Sequence, residues 1–234
     1  MANTTRTNPG EAPVITENKG GDSLRKMQSS FEKNQKIIVG AVVVVVLLVG
    51  GYFGYKQLVQ KPNEEKAANA LFSAEQWFGM DSLNYALNGD GQHGGALSVI
   101  KKYGDTKAGN LARYYAGLSY LRTGDAKNAI VQLEKFDGKG TPLEYLAYGA
   151  LGDAYMETNN NAKGIEMYKK ASANEKDNFI SPLYLFRAAL ASEVSGKADD
   201  AKKLYLDLKA KYPYSQQAQE VDKYLARLGE LTND

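Results

Sequence analysis

The apolar and polar positions of this chain fall into three regimes. The sharpest boundary encloses Ile37 to Tyr55, a charge-free stretch with Val42 to Val46 unbroken at its centre. A helix of that length spans roughly 28 Å at ~1.5 Å rise per residue, close to the hydrocarbon thickness of a bilayer. Five consecutive valines favour strand in water. In lipid the backbone has no partner outside its own segment, so helix wins. Tyr52, Phe53 and Tyr55 stand where an interfacial aromatic belt belongs. A cleaved signal peptide has a shorter apolar region of about 7–15 residues followed by a small-x-small site. Here the run is longer, lies behind a long leader and exits into Lys56-Gln57-Leu58. The pattern predicts an uncleaved single-pass transmembrane helix over 37–55.

The regime before it, 1–36, has little apolar content and predicts a disordered leader. Arg25, Lys26, Lys33 and Lys36 precede the span, whereas Lys56, Lys61 and Lys66 follow it. That bias places the N-terminus in the cytoplasm and the larger C-terminal part on the other side.

The third regime, 56–234, is helical in period throughout, so the fold class is all-α. Ala67, Ala70, Leu71, Ala74, Trp77 and Phe78 share one face of a long first helix. Gly89 to Gly95 reads as a loop, and Ala96 to Tyr103 as a short helix closing a divergent first pair. Beyond it the sequence repeats itself. Ala116-Gly117-Leu118-Ser119-Tyr120 returns as Leu151-Gly152-Asp153-Ala154-Tyr155, an offset of 35 residues, each followed by a turn and a second helix. A more degenerate copy carries Ala188-Ala189, Ser192, Gly196-Lys197, Ala201, Tyr205 and Tyr212-Pro213. The repeats lie near 110–142, 145–177 and 182–213. Small Gly117, Gly152 and Ala189 let paired helices approach, with Leu133, Tyr168 and Tyr205 filling the remaining space. Gly124 and Gly196 supply positive φ at the turns, and Pro213 stops a helix. Ser215 caps a final helix, 215–228, whose stripe of Ala218, Val221, Tyr224, Leu225 and Leu228 covers the last apolar face.

Composition narrows the function. The 234 residues contain no Cys and one His, which removes disulfides, thiolate metal sites, a cysteine nucleophile and a histidine pair for zinc. Acidic and basic side chains balance beyond the span, which argues against a nucleic-acid partner. Gly117-Leu118-Ser119 lacks the closing Gly of a nucleophile elbow, Gly196-Lys197 lacks the rest of a phosphate loop, and Asp90 lacks the carboxylate ladder of a calcium loop. His93 sits in the same flexible loop. The expectation is a protein that is not an enzyme, with neither cofactor nor metal.

The helix–turn–helix period resembles the tetratricopeptide repeat. That resemblance implies a solenoid with a partner-binding groove along the first helix of each repeat. Carried onto this chain, the groove positions are Leu111, Tyr114, Leu118, Leu121 and Arg122, then Leu146, Gly149, Asp153, Met156 and Glu157, then Leu183, Phe186, Leu190, Glu193 and Val194. The Lys and Asn of the family's carboxylate clamp are absent, so an apolar groove is expected, either open to hydrophobic segments or filled by a helix of the chain itself. Gly50 and Gly54, four apart, share one face of the membrane span with Gly51 beside them and form a candidate helix-packing surface.

The whole arrangement includes the Ala-rich first helix Glu64-Glu65-Lys66-Ala67-Ala68-Asn69-Ala70 and Lys101-Lys102-Tyr103-Gly104-Asp105-Thr106 leading into the repeats. It resembles the YfgM family of ancillary subunits of the SecYEG translocon. The resemblance implies a bacterial inner-membrane protein with a periplasmic repeat domain. Its partners would be the translocon and a membrane-anchored prolyl-isomerase-like chaperone, handling substrates as they emerge. A periplasmic scaffold for another envelope assembly is the alternative. An organelle import receptor with cytosolic repeats is disfavoured by the missing clamp and the charge bias.

Overall fold

The computed structural model describes residues 19–229, with side chains from residue 34 onward. The described part is helical apart from its turns and loops, and the chain divides into two compact units, Met1–Gln57 and Leu58–Asp234.

Among the described residues of the first unit, Lys19–Tyr55 form one helix, α1. Val42 to Val49 are all half or more exposed, which fits a membrane anchor. The helix is long and apolar enough to cross a membrane. The helix also covers the described residues ahead of the span, Lys19–Lys36. The expectation of disorder over 1–36 is therefore corrected for Lys19–Lys36, where the helical hydrogen bonding of the span extends into a polar segment. Residues 1–18 lie outside the described residues. A π-helical turn, Lys56–Gln60, follows in the chain.

The second unit is built from α2 (Lys61–Gly79), α3 (Leu83–Asn88), α4 (Ala96–Tyr103), α5 (Lys107–Arg122), α6 (Ala126–Leu133), α7 (Pro142–Glu157), α8 (Asn161–Ala171), α9 (Ile180–Val194), α10 (Ala198–Lys211) and α11 (Gln216–Arg227). Four helix pairs turn over in the same way. In each, a three-residue turn places its middle residue in the left-handed region: Asp81 (φ 59°), Gly124 (φ 83°), Asn159 (φ 59°) and Gly196 (φ 75°). The third residue's N–H then reaches back to the carbonyl of Trp77, Tyr120, Tyr155 or Ser192 at 2.8–2.9 Å, which satisfies a carbonyl orphaned by the helix end. Asp125 and Asn160 cap the following helices through the N–H of Asn128 and Lys163.

Asp81 marks a helix pair that the sequence reading placed differently. Its turn is followed at once by α3, and the Gly89–Gly95 loop then separates α3 from α4. Both short helices pack on α2 and on α5. Inside the loop, the Asp90 carboxylate accepts the N–H groups of Gln92 and His93 and lies 3.4 Å from the His93 ring, and those backbone bonds hold its pKa low. Asp90 and His93 close a loop here.

Two layers result. Helices α2, α5, α7, α9 and α11 contact one another in order and form the inner layer. Helices α3 and α4, α6, α8 and α10 each pack on their own inner helix and on the next one. Between the layers an added Cβ at Gly117 would overlap Leu133, and one at Gly152 would overlap the Tyr168 ring, so glycine sets the helix spacing there. Leu133, Val99, Tyr205, Leu208, Val221 and Leu225 are wholly or almost wholly buried. Helix α10 ends at Lys211, ahead of Pro213, and α11 is capped by Ser215 through the Ala218 N–H.

Candidate partner-binding groove

The inner layer carries the positions expected to line a groove. On α5, Leu111, Leu118 and Leu121 are half-buried, rooted in the core with part of each side chain free. Tyr114 is different. It is 8% exposed, with its ring 5.2 Å from Phe136 and 5.9 Å from Tyr115 between centroids. The expectation that it lines the groove is corrected: Phe136, in the α6–α7 connection, covers that position. Burial pushes the Tyr114 hydroxyl up to about 12. Arg122 is exposed and held at 2.7 Å by Asp81 of the first turn, with its guanidinium 5.4 Å from the Phe78 ring centre.

On α7, Leu146 and Met156 are half-buried and Glu157 is exposed. Gly149 lies directly beneath the Tyr184 ring, so it is a packing position rather than a lining one. Asp153 is fully engaged. Tyr168 donates its hydroxyl to Oδ1 at 2.5 Å, and Arg187 Nη1 reaches both carboxylate oxygens at 2.5 and 2.7 Å. Tyr184 stacks on Tyr168 at 6.1 Å, and the Arg187 guanidinium lies over the Tyr184 face at 5.6 Å. The expectation of an apolar groove is corrected at this position, where Asp153 is tied into a Tyr–Asp–Arg network. A cavity of 260 Å³ opens beside it, lined by Asp153, Met156, Tyr168, Arg187, Leu190, Ala191 and Val194.

The same device recurs one helix pair later. Tyr205 donates to Glu193 at 3.1 Å, and Arg227 Nη2 sits 2.7 Å from Glu193 Oε1. In both cases the Tyr is on the outer helix, the acid on its inner partner and the Arg on the next inner helix. Arg187 and Arg227 were missed by sequence reasoning. The usable signal was an acid followed by an arginine one repeat length later, 34 residues for Asp153–Arg187.

On α9, Leu183, Phe186 and Leu190 are half-buried and Val194 is 73% exposed. Phe186 meets Tyr224 of α11 edge-to-face at 5.2 Å. At this end the chain's own terminal helix covers the groove position, whereas Leu118, Leu121 and Met156 keep exposed surface.

Helix α2 extends the layer in the other direction. A cavity of 460 Å³ lies between α2 and α5, lined by Glu64, Glu65, Ala68, Leu71, Glu75, Lys107, Ala108 and Leu111. Both Glu64 oxygens accept the Lys107 N–H at 3.0 Å, favourable at the positive end of α5. Burial raises the Glu75 carboxyl above its ordinary value. A larger cavity, 730 Å³, opens between Asn178–Phe179 and the α10–α11 turn at Tyr212–Gln217, flanked by Phe179 and Tyr214, which are 86% and 94% exposed. Nothing in the sequence pattern pointed to it.

In α1, a Cβ added at Gly50, Gly51 or Gly54 would meet nothing within 4 Å, so that surface stands open. Among the described residues no group of three or more His, Cys, Asp or Glu is placed to hold a metal ion. No known family, curated protein or solved structure matches the chain.

Proposed function

We propose that this chain is a membrane-anchored protein-binding subunit of tetratricopeptide type. In this reading it belongs with the YfgM-like ancillary subunits of the SecYEG translocon and holds apolar segments of proteins as they emerge on the periplasmic side. It acts by binding, without catalysis. The observation that carries the reading is the fourfold turn at Asp81, Gly124, Asn159 and Gly196, which repeats one helix-pair design behind a single apolar span. Repeats of this kind present successive inner helices side by side, and the partly exposed Leu118, Leu121 and Met156 give that layer an apolar strip. The basic flank Arg25, Lys26, Lys33 and Lys36 supports a cytoplasmic N-terminus in a bacterial inner membrane.

Purification of the full chain from solubilised membranes, with mass spectrometry of what accompanies it, tests the reading. Translocon subunits and a membrane-anchored prolyl-isomerase-like chaperone are expected. Their absence, with a different envelope assembly recovered instead, overturns it. The double change Leu118→Glu and Leu121→Glu is expected to reduce recovery of partner or client at least tenfold, since burying an unpaired carboxylate in an apolar contact costs well over 1.4 kcal/mol. The circular-dichroism spectrum should stay helical, because both side chains reach the surface. Protease added to spheroplasts is expected to digest the region beyond Lys56; protection there would reverse the topology.

A further inference from the structure

The α2–α5 cavity differs in charge from the rest of the inner layer. Counting back from the turns, Glu75 on α2 occupies the place held by Leu118 on α5, Asp153 on α7 and Leu190 on α9. The corresponding carboxylate on α7 is neutralised by Arg187. Glu75 has no such partner: among the described residues it makes neither a hydrogen bond nor an ion pair, and burial is the sole cause acting on its pKa. Its charge reaches the neighbouring Tyr115, whose hydroxyl it helps to raise. The wall around it is apolar, from Ala68, Leu71, Ala108 and Leu111, and the rim adds Glu64 and Glu65 against the single ammonium of Lys107. Its volume of 460 Å³ is that of a pocket for a bound group, within the usual range of about 300–1,000 Å³. Because Leu111 belongs both to this cavity and to the expected groove, the cavity is an end of that groove.

A partly desolvated carboxylate without a countercharge is costly, and an arriving cation relieves that cost. A long basic side chain also suits the geometry, since its methylene stem can lie along Ala68, Leu71 and Leu111 while its head meets the acid. We propose that the α2–α5 end of the groove receives a Lys or Arg side chain of an otherwise apolar protein segment, with Glu75 as its countercharge. This deepens the groove reading above and rests on it. The carboxylates select basic against acidic segments, and the apolar strip beyond supplies the sequence-tolerant part of the binding.

The test uses the full chain in nanodiscs of zwitterionic lipid, with empty nanodiscs as the blank, and three labelled Leu/Ala peptides that differ only at a central Lys, norleucine or Glu. Fluorescence anisotropy should rank them Lys, then norleucine, then Glu, with about tenfold tighter binding for Lys than for norleucine, the scale of a charge-assisted contact. Glu75→Gln should remove the Lys advantage and leave the norleucine peptide unchanged, and Glu75→Lys should favour the Glu peptide. Equal binding of the Lys and norleucine peptides, or a Lys advantage that survives Glu75→Gln, overturns the assignment of Glu75 while leaving the groove reading in place. Failure of all three peptides to bind overturns both.

Discussion

Above pH 10 the repeat unit is expected to unfold cooperatively, with the loss completed by about pH 12, while it stays folded at pH 9. The cause is the tyrosine set between the layers. Tyr114, Tyr155, Tyr168, Tyr184 and Tyr205 are each less than a tenth exposed. Burial is the leading influence on all five, and it raises every one above the ordinary value of 10.0. Tyr114 and Tyr155 are pushed up to about 12. For Tyr155 the hydrogen bond to Glu134 adds to burial, for Tyr168 the Asp153 carboxylate does, and for Tyr205 the Glu193 carboxylate. A raised folded-state pKa means that the folded chain keeps its phenolic protons where the unfolded chain has released them. Stability is therefore fully present below pH 10 and drains as pH climbs toward the folded-state values. Two groups shifted by about two units supply on the order of 5 kcal/mol at the far end of that window, comparable with the whole stability of many domains. The measurement is a pH titration of the full chain in detergent, following helical circular dichroism and tyrosinate absorbance together. Exposed rings ionise without unfolding, so the diagnostic signal is a distinct step of tyrosinate absorbance, from the five buried rings, that coincides with the loss of helix. Complete tyrosinate absorbance reached with the helix intact would show that these rings are not sealed between the layers. Tyr205→Phe, which keeps the ring and removes the hydroxyl bonded to Glu193, should move the transition to higher pH.

How far the sequence revealed this structure depended on which residues carried the information. Turns were legible because their chemistry is local: Gly124 and Gly196 need only their own φ to be recognised, and Asp125 and Asn160 only their own following helix. Close helix approaches were legible for a related reason, since a small residue at Gly117 or Gly152 recurs at a fixed distance from the turn. The Asp81 turn was harder to see. An aspartate in the left-handed region leaves a fainter mark than glycine, and the Gly89–Gly95 insertion breaks the period that would have exposed the pair. Side-chain partners were the least legible. Whether Tyr114 faces a groove or a core is decided by Phe136, which arrives from an irregular connection outside the repeat pattern. The Asp153–Arg187 bridge joins two helices whose relative register only packing fixes. Glu75 could be read as an ordinary surface acid until α5 closed over the apolar residues beside it. The helical Lys19–Lys36 was missed because composition alone favours disorder there, and composition does not register the helix that the apolar stretch already supplies.

Gly149 offers the sharpest separation between a groove position and a packing position, and its replacement is expected to cost more than a groove residue should. In a helix interior, glycine to alanine is normally favourable by about 0.5–1 kcal/mol, because alanine loses less backbone entropy on folding. At Gly149 a Cβ would overlap the end of the Tyr184 ring. That ring cannot swing away cheaply: it is 8% exposed, stacked on Tyr168 at 6.1 Å and covered by Arg187 at 5.6 Å. Displacing it also disturbs the bridge that Tyr168 and Arg187 share at Asp153. Overpacking of a well-filled interior costs about 1–3 kcal/mol, so Gly149→Ala should be destabilising on balance, and the branched Gly149→Val should cost about 3 kcal/mol or more. Gly79→Ala is the matched control, since a Cβ there meets nothing within 4 Å at the end of α2, and its stability should be unchanged or slightly higher. Urea unfolding of the full chain, read by helical circular dichroism, gives both differences as shifts in midpoint at constant slope. If Gly149→Val unfolds at the same urea concentration as the parent chain, then α9 does not press Tyr184 onto α7. Gly149 would then return to the list of groove-lining positions.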